Sequence, residues 1–103
     1  MGTFTIIEYA GHGVQGGTPI QVAYEPAITE QSAITTSASS QQSAALNAST
    51  SVVLVQTTST VRFKVGTNPT ASATTSRRLA ADQEVYFYVT RGSNLKIAVI
   101  DAT

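Results

Sequence analysis

With 103 residues, no cysteine, no tryptophan and a single histidine, the chain reads as one domain without a disulfide framework or a Cys/His zinc cluster. Charged residues make up 12% and cancel to a net charge of zero, which argues against a polybasic nucleic-acid surface. A domain of this size hides roughly two-thirds of the surface its unfolded chain exposes, so the core is thin and subunit contacts are the default source of added stability.

The charges are unevenly placed. Before Arg62 the chain carries Glu8, Glu25 and Glu30 and no Lys or Arg, and all six basic residues fall between Arg62 and Lys96. That asymmetry suits docking between copies or onto a larger assembly; the simpler reading is that the cations occupy the wet face of a sheet. No stretch is long and apolar enough to span a membrane, and the start Met-Gly-Thr-Phe-Thr lacks a signal-peptide layout, so a cytoplasmic product is expected. Asn47-Ala48-Ser49 matches a glycosylation sequon that has no meaning without secretion.

Taken in order, Thr3 to Tyr9 and Ile20 to Tyr24 predict short strands joined by a flexible turn through Gly11, Gly13, Gly16 and Gly17. Residues 1–30 are read as an extended N-terminal arm plus glycine-rich hairpin, with Phe4, Ile6, Ile7 and Tyr9 forming a strand that adds to a neighbouring subunit's sheet. Residues 31–50 are a Ser/Thr/Ala-rich segment of low complexity. Gln41 to Asn47 has fair helix propensity, but extended chain with one helical turn at most is the expected form, lying along another subunit.

Residues 51–103 carry the main sheet strands. Ser51 to Gln56 is apolar on both faces and reads as a central strand, with Thr57 to Thr60 turning into the next. Val61, Phe63 and Val65 then alternate with Arg62 and Lys64, the period of two of a half-covered antiparallel strand. Gly66-Thr67-Asn68-Pro69 closes it with turn chemistry. Arg77 to Ala81 predicts a short edge strand, and Ala81-Asp82-Gln83 a turn. Val85, Phe87 and Val89 alternate with Tyr86 and Tyr88, and Arg91-Gly92-Ser93-Asn94 is read as a tight hairpin turn into a last strand, Lys96 to Asp101. About eight short strands and no long helix predict an all-β fold, a small antiparallel β-sandwich of jelly-roll type. Its core positions are Val53, Val55, Val61, Phe63, Val65, Val85, Phe87, Val89, Leu95, Ile97 and Val99.

Few motifs suggest chemistry. Gly11-His12-Gly13-Val14-Gln15-Gly16 matches G-x-G-x-x-G, but a pyrophosphate site needs a helix N-terminus after the glycines, and a turn and strand follow instead. Even with Glu30 at the distance of a ribose-binding acid, it reads as a hairpin loop. His12 has candidate carboxylate partners in Glu8, Glu25 and Asp101, yet no serine sits in a Gly-x-Ser-x-Gly elbow, and a solvent-exposed loop histidine is the simpler account. No catalytic residue, cofactor or metal is expected. Tyr86 and Tyr88 share one strand face; they anchor a protein interface or, with Arg62 or Lys64, form a sugar- or base-stacking platform. Arg77 and Arg78 point to opposite faces of their strand, as a solvated edge that deters aggregation or a docking point for an acidic partner. The candidate interface residues are therefore Phe4, Ile6, Ile7, Tyr9, Arg62, Lys64, Arg77, Arg78, Tyr86 and Tyr88.

Three stretches carry a family resemblance: Thr60-Val-Arg-Phe-Lys-Val-Gly-Thr-Asn-Pro-Thr-Ala71, Arg78-Leu-Ala-Ala-Asp-Gln-Glu-Val-Tyr-Phe-Tyr-Val89, and Leu95-Lys-Ile-Ala-Val-Ile100. Together they resemble the small capsid cement or decoration proteins of tailed bacteriophages. The resemblance covers about two-fifths of the chain and consists of structural phrases, since no catalytic set is among them. It implies a homotrimeric virion protein, made in the host bacterial cytoplasm, that clamps the major capsid protein and has neither nucleic acid nor membrane as partner. A carbohydrate-binding or host-adhesion module of a phage fibre, or a tail or neck protein, is the alternative.

Overall fold

A computed structural model of the chain describes residues 2–10, 12–15, 18–23 and 27–102, with the backbone alone for 12–15 and 18–23. Eleven strands are described: β1 (Thr3–Tyr9), β2 (His12–Gln15), β3 (Thr18–Ala23), β4 (Thr29–Glu30), β5 (Ile34–Thr35), β6 (Gln41–Gln42), β7 (Val52–Thr57), β8 (Val61–Gly66), β9 (Arg77–Leu79), β10 (Glu84–Tyr88) and β11 (Lys96–Asp101). They form a small all-β antiparallel domain with two principal sheets. The first runs β10-β7-β1-β4, with β5 also on β1; the second runs β6-β11-β8-β9; β2 and β3 pair as a separate hairpin.

Alternation explains which side chains each sheet turns inward. Phe4 and Ile6 of β1, Val53 and Val55 of β7, Val61 and Phe63 of β8, Leu79 of β9, and Ile97 and Val99 of β11 join Leu46 in one buried cluster drawn from both sheets. Aromatic rings tie the sheets together: Phe63 lies 6.0 Å, centroid to centroid, from Phe4 and 6.0 Å from Phe87. A smaller cluster of Tyr9, Val52 and Leu54, with Ile7 and Ala27 beside it, forms on the other face of β1 and β7. Both faces of β7 are thus covered, as its unbroken apolar run predicts.

Three expectations are corrected. Residues 3–9 are not an arm offered to a neighbour: β1 pairs with β7 from Phe4↔Thr57 to Tyr9↔Val52 and with β4 and β5 on its other side. With both edges satisfied and Phe4 and Ile6 buried, β1 is a central strand of its own sheet. The 31–50 segment contributes β5 and β6 and places Thr36, Ser43, Leu46 and Thr50 in buried positions. It packs on its own chain, without a helical turn, because its small hydroxyls bond across to the sheets, as Gly2 N to Thr36 Oγ1 and Ile97 N to Ser43 Oγ do. Finally, β10 and β11 are not a hairpin; β10 pairs with β7 and β11 with β8 and β6, in different sheets. Gly92 (φ 72°) and Asn94 (φ 54°) take the left-handed region there, which redirects the chain between sheets. Turn chemistry signals a change of direction without fixing the next partner.

Gly92 has open space around a hypothetical Cβ, so replacing it tests backbone strain alone. Gly92→Ala should lower stability by about 1 to 2 kcal/mol, read as a lower urea midpoint at unchanged slope.

Candidate functional site

Apart from the β2–β3 hairpin, the edge strands are β4, β5, β6, β9 and β10. Four of them are blunt: β4, β5 and β6 are two residues long, and β9 is three residues with two arginines. Short or cationic edges resist pairing with other chains. The fifth, β10, reads Glu-Val-Tyr-Phe-Tyr over five residues, with no proline, lysine or arginine to blunt it.

Hydrogen-bond phase fixes which backbone groups this edge presents. Thr57 N donates to Gln83 O and Val89 N to Ser51 O, so the odd residues 83, 85, 87 and 89 face β7. In an antiparallel ladder the intervening residues point the other way, and the peptide groups of Glu84, Tyr86 and Tyr88 turn to the outer edge. No strand among the described residues pairs there. On the sheet's outer face Tyr86 and Tyr88 are 47% and 59% exposed, with the Tyr86 ring 6.3 Å from that of Tyr9.

On the inner face, Val85, Phe87 and Val89 pack against the core but remain only half-buried. Beside them lies a groove of about 540 Å³ between β10 and the β8–β9 edge, lined by Phe63, Val65, Phe87, Tyr88, Lys64 and Arg77 among others. Arg77 roofs the inner end, its guanidinium carbon 5.6 Å from the Phe63 ring centroid, a cation–π geometry. Aromatic walls and two cations at the rim suit an apolar side chain or an aromatic group with an acidic companion. Among the described residues, those lining the groove include no His, Cys, Asp or Glu.

The predicted site residues separate into distinct environments. Phe4, Ile6 and Tyr9 are buried, which withdraws these three from an exposed interface, while Ile7 is half-buried against Tyr9, Val52 and Leu54. Arg62 is also withdrawn: its Nη1 donates to Ser76 O at 2.7 Å, anchoring the 67–76 loop over the outer face of the second sheet. Ala71 packs there with Ala98 and Ile100, while Gln42 Nε2 donates to Asn68 Oδ1 and Pro69 O. Arg78 is exposed opposite Arg62 in the β8–β9 register. Arg62 and the tyrosines therefore stand on the outer faces of different sheets and form no common platform; Lys64 and Tyr88 meet only at the groove. His12 lies on the backbone of β2, and Gly11, Gly16, Gly17 and Glu25 fall outside the described residues. The chain after Gln15 resumes as β3, where a phosphate-binding glycine motif requires a helix.

Glu8 is a residue whose role the alternation hid. It lies in phase with Phe4 and Ile6 and is 1% exposed. Its Oε1 accepts from Asn47 N (2.6 Å) and Thr50 Oγ1 (2.7 Å), and its Oε2 from Gln31 Nε2 (2.9 Å). One buried carboxyl thereby pins both ends of the 31–50 segment to β1. A charged residue in step with core positions was the available signal, since burial there requires partners.

Among the described residues no group of three or more His, Cys, Asp or Glu side chains is placed to hold a metal ion, and no helix is long and apolar enough to cross a membrane. Comparison with known protein families, with curated proteins and with solved structures finds no match.

Proposed function

We propose that this chain is a non-enzymatic structural protein that works by adhesion, as a cement subunit of a tailed-phage head that associates with itself and with the major capsid protein. The observation that carries the reading is the exposed pair Tyr86 and Tyr88 on β10, standing beside a half-covered apolar face. Tyrosine on an otherwise polar surface is the composition of interface anchors. The three stretches shared in kind with cement proteins supply the assignment to a virion, and β10 lies within the second of them. In this reading the two sheets close as a small β-sandwich, and the crossings from β7 to β8 and from β10 to β11 are Greek-key passages of a jelly roll. Mechanically, each bound copy adds contact area across joints of the shell at roughly 25 cal/mol per Å² of apolar surface. Repetition over a lattice makes modest contacts decisive.

The test is binding of the purified protein to expanded empty heads, followed by co-sedimentation. Saturable binding, lost in a Tyr86→Ala/Tyr88→Ala double variant that keeps its fold, is the expected result; absence of binding at any protein concentration overturns the reading. The same tyrosine pair favours one second reading, a carbohydrate-binding module, because exposed aromatic faces stack on sugar rings. Glycan-array binding that either tyrosine substitution abolishes would select it.

A further inference from the structure

We infer that the outer face of the second sheet is a docking surface for an acidic, extended segment of a partner protein, held through Arg78, Lys64 and Lys96. The inference rests on where strand register places the cations and not on the virion reading. Directly opposed residues share a face, as do residues two apart on one strand. Arg78 of β9 opposes Arg62 of β8, Lys64 of β8 opposes Ala98 of β11, and Lys96 of β11 opposes Gly66. Four of the six basic residues therefore stand on one face, in phase with Ala98 and Ile100 and out of phase with the core residues Val61, Phe63, Ile97 and Val99.

No Asp or Glu among the described residues answers them there. Glu30 and Glu84 belong to strands of the first sheet, Asp82 to the turn before β10, and Glu8 is buried. Asp101 opposes Val61 and so lies in the inward phase of β11. Lys64 and Arg78 are exposed and Lys96 is half-buried; among the described residues none of these three side chains has a hydrogen-bond or ion-pair partner. Arg62 is tied by Nη1 to Ser76 O, which leaves its charge uncompensated. Like charges placed directly opposite, as Arg62 and Arg78 are, destabilise a sheet, and carboxylates from a partner relieve that repulsion.

The cations run obliquely, from Arg78 across to Arg62, two residues along to Lys64 and diagonally to Lys96. Strand spacing and rise per residue set these steps at about 5 to 8 Å. An extended peptide with Asp or Glu at every second position presents a carboxylate about every 7 Å on one side, which matches the band. Single-stranded nucleic acid also carries regularly spaced anions, but its binding sites add aromatic rings on which bases stack. None of the residues that register places on this face is aromatic. Ala71 of the 67–76 loop already packs on Ala98 and Ile100, so the partner meets a charged band at the loop's margin and not an apolar surface.

The test is fluorescence anisotropy with labelled probes: a peptide alternating Glu and Thr, the same peptide with Gln for Glu, and a short oligothymidine. The Glu peptide should bind at low ionic strength and weaken as salt is added, while the Gln peptide should not bind. Lys64→Gln and Arg78→Gln should each weaken Glu-peptide binding about two- to fivefold, with the urea midpoint at or above that of wild type. Arg91→Gln makes the same change in net charge at a residue that donates to Ala10 O beside the first sheet, and should leave binding unchanged. Absence of Glu-peptide binding at low salt, binding that both face substitutions leave intact, an equal loss in Arg91→Gln, or tighter binding of oligothymidine overturns the inference. If one face variant fails to fold, the other decides. Peptide binding is read without phage heads, so this inference and the virion reading can fail independently.

Discussion

Phe63→Ala should be the most damaging single substitution in the main core, lowering stability by about 3 to 5 kcal/mol. Phe63 is 2% exposed, touches Phe4 and Phe87 in the other sheet, and carries Arg77 over its ring. Truncation would remove the aromatic link between the sheets and leave a cavity that two strand backbones cannot close. Against a total stability of about 5 to 15 kcal/mol for an ordinary domain, much of the population would unfold at 37 °C. Urea titration followed by far-ultraviolet circular dichroism gives the number. Phe87→Ala should cost less, about 1 to 3 kcal/mol, because Phe87 is only half-buried beside the groove. Equal losses at both positions would contradict this ordering of the core.

The second large effect is expected at Glu8. Glu8→Ala strands the Asn47 N–H and the Thr50 hydroxyl, both held by Oε1, and releases the Gln31 amide. Leaving a buried donor unsatisfied costs about 1 to 3 kcal/mol; Thr50 is buried while the Asn47 bond is only partly so, and the expected loss is about 2 to 3 kcal/mol. The readout specific to this clamp is local: hydrogen exchange at Asn47 and proteolysis within 31–50 should accelerate more than at β7. Glu8→Gln keeps the shape but replaces one acceptor by a donor, which then faces Gln31 Nε2 or the Oε1 partners. It should fall between wild type and Glu8→Ala. A Glu8→Ala protein with wild-type exchange at Asn47 would remove the clamp.

The strands from β7 onward were legible because they alternate or run apolar without interruption, and both patterns report burial directly. The partners of those strands were not. Nothing local in Glu84 to Asp101 distinguishes a hairpin from two strands in different sheets, since the same glycine and asparagine serve either course. β1 was misplaced for a related reason. A short β-branched strand beside glycines looks the same at an edge as at a centre, and only the apolar faces of β7, some fifty residues on, select it as the central neighbour. The 31–50 segment was hidden by composition: small hydroxyl residues bury little apolar area, and their contribution is a set of hydrogen bonds to distant backbone groups that composition cannot foretell. Of the candidate site, Tyr86 and Tyr88 were readable from their phase, whereas the groove depends on which strands stop short.

Placing β1 between β7 and β4 has a consequence for the order of assembly. Phe4 pairs with Thr57 and Tyr9 with Val52, so this strand leaves the ribosome long before its chief ladder partner exists. Until Val52–Thr57 has emerged, Phe4, Ile6 and the Glu8 carboxyl have neither shelter nor partners of that ladder. Such distant pairing delays folding until most of the chain is available. The nascent chain must therefore keep this hydrophobic strand in solution, and the serines, threonines and alanines of 31–50 suit that interval, being soluble while extended and useful only once both sheets stand.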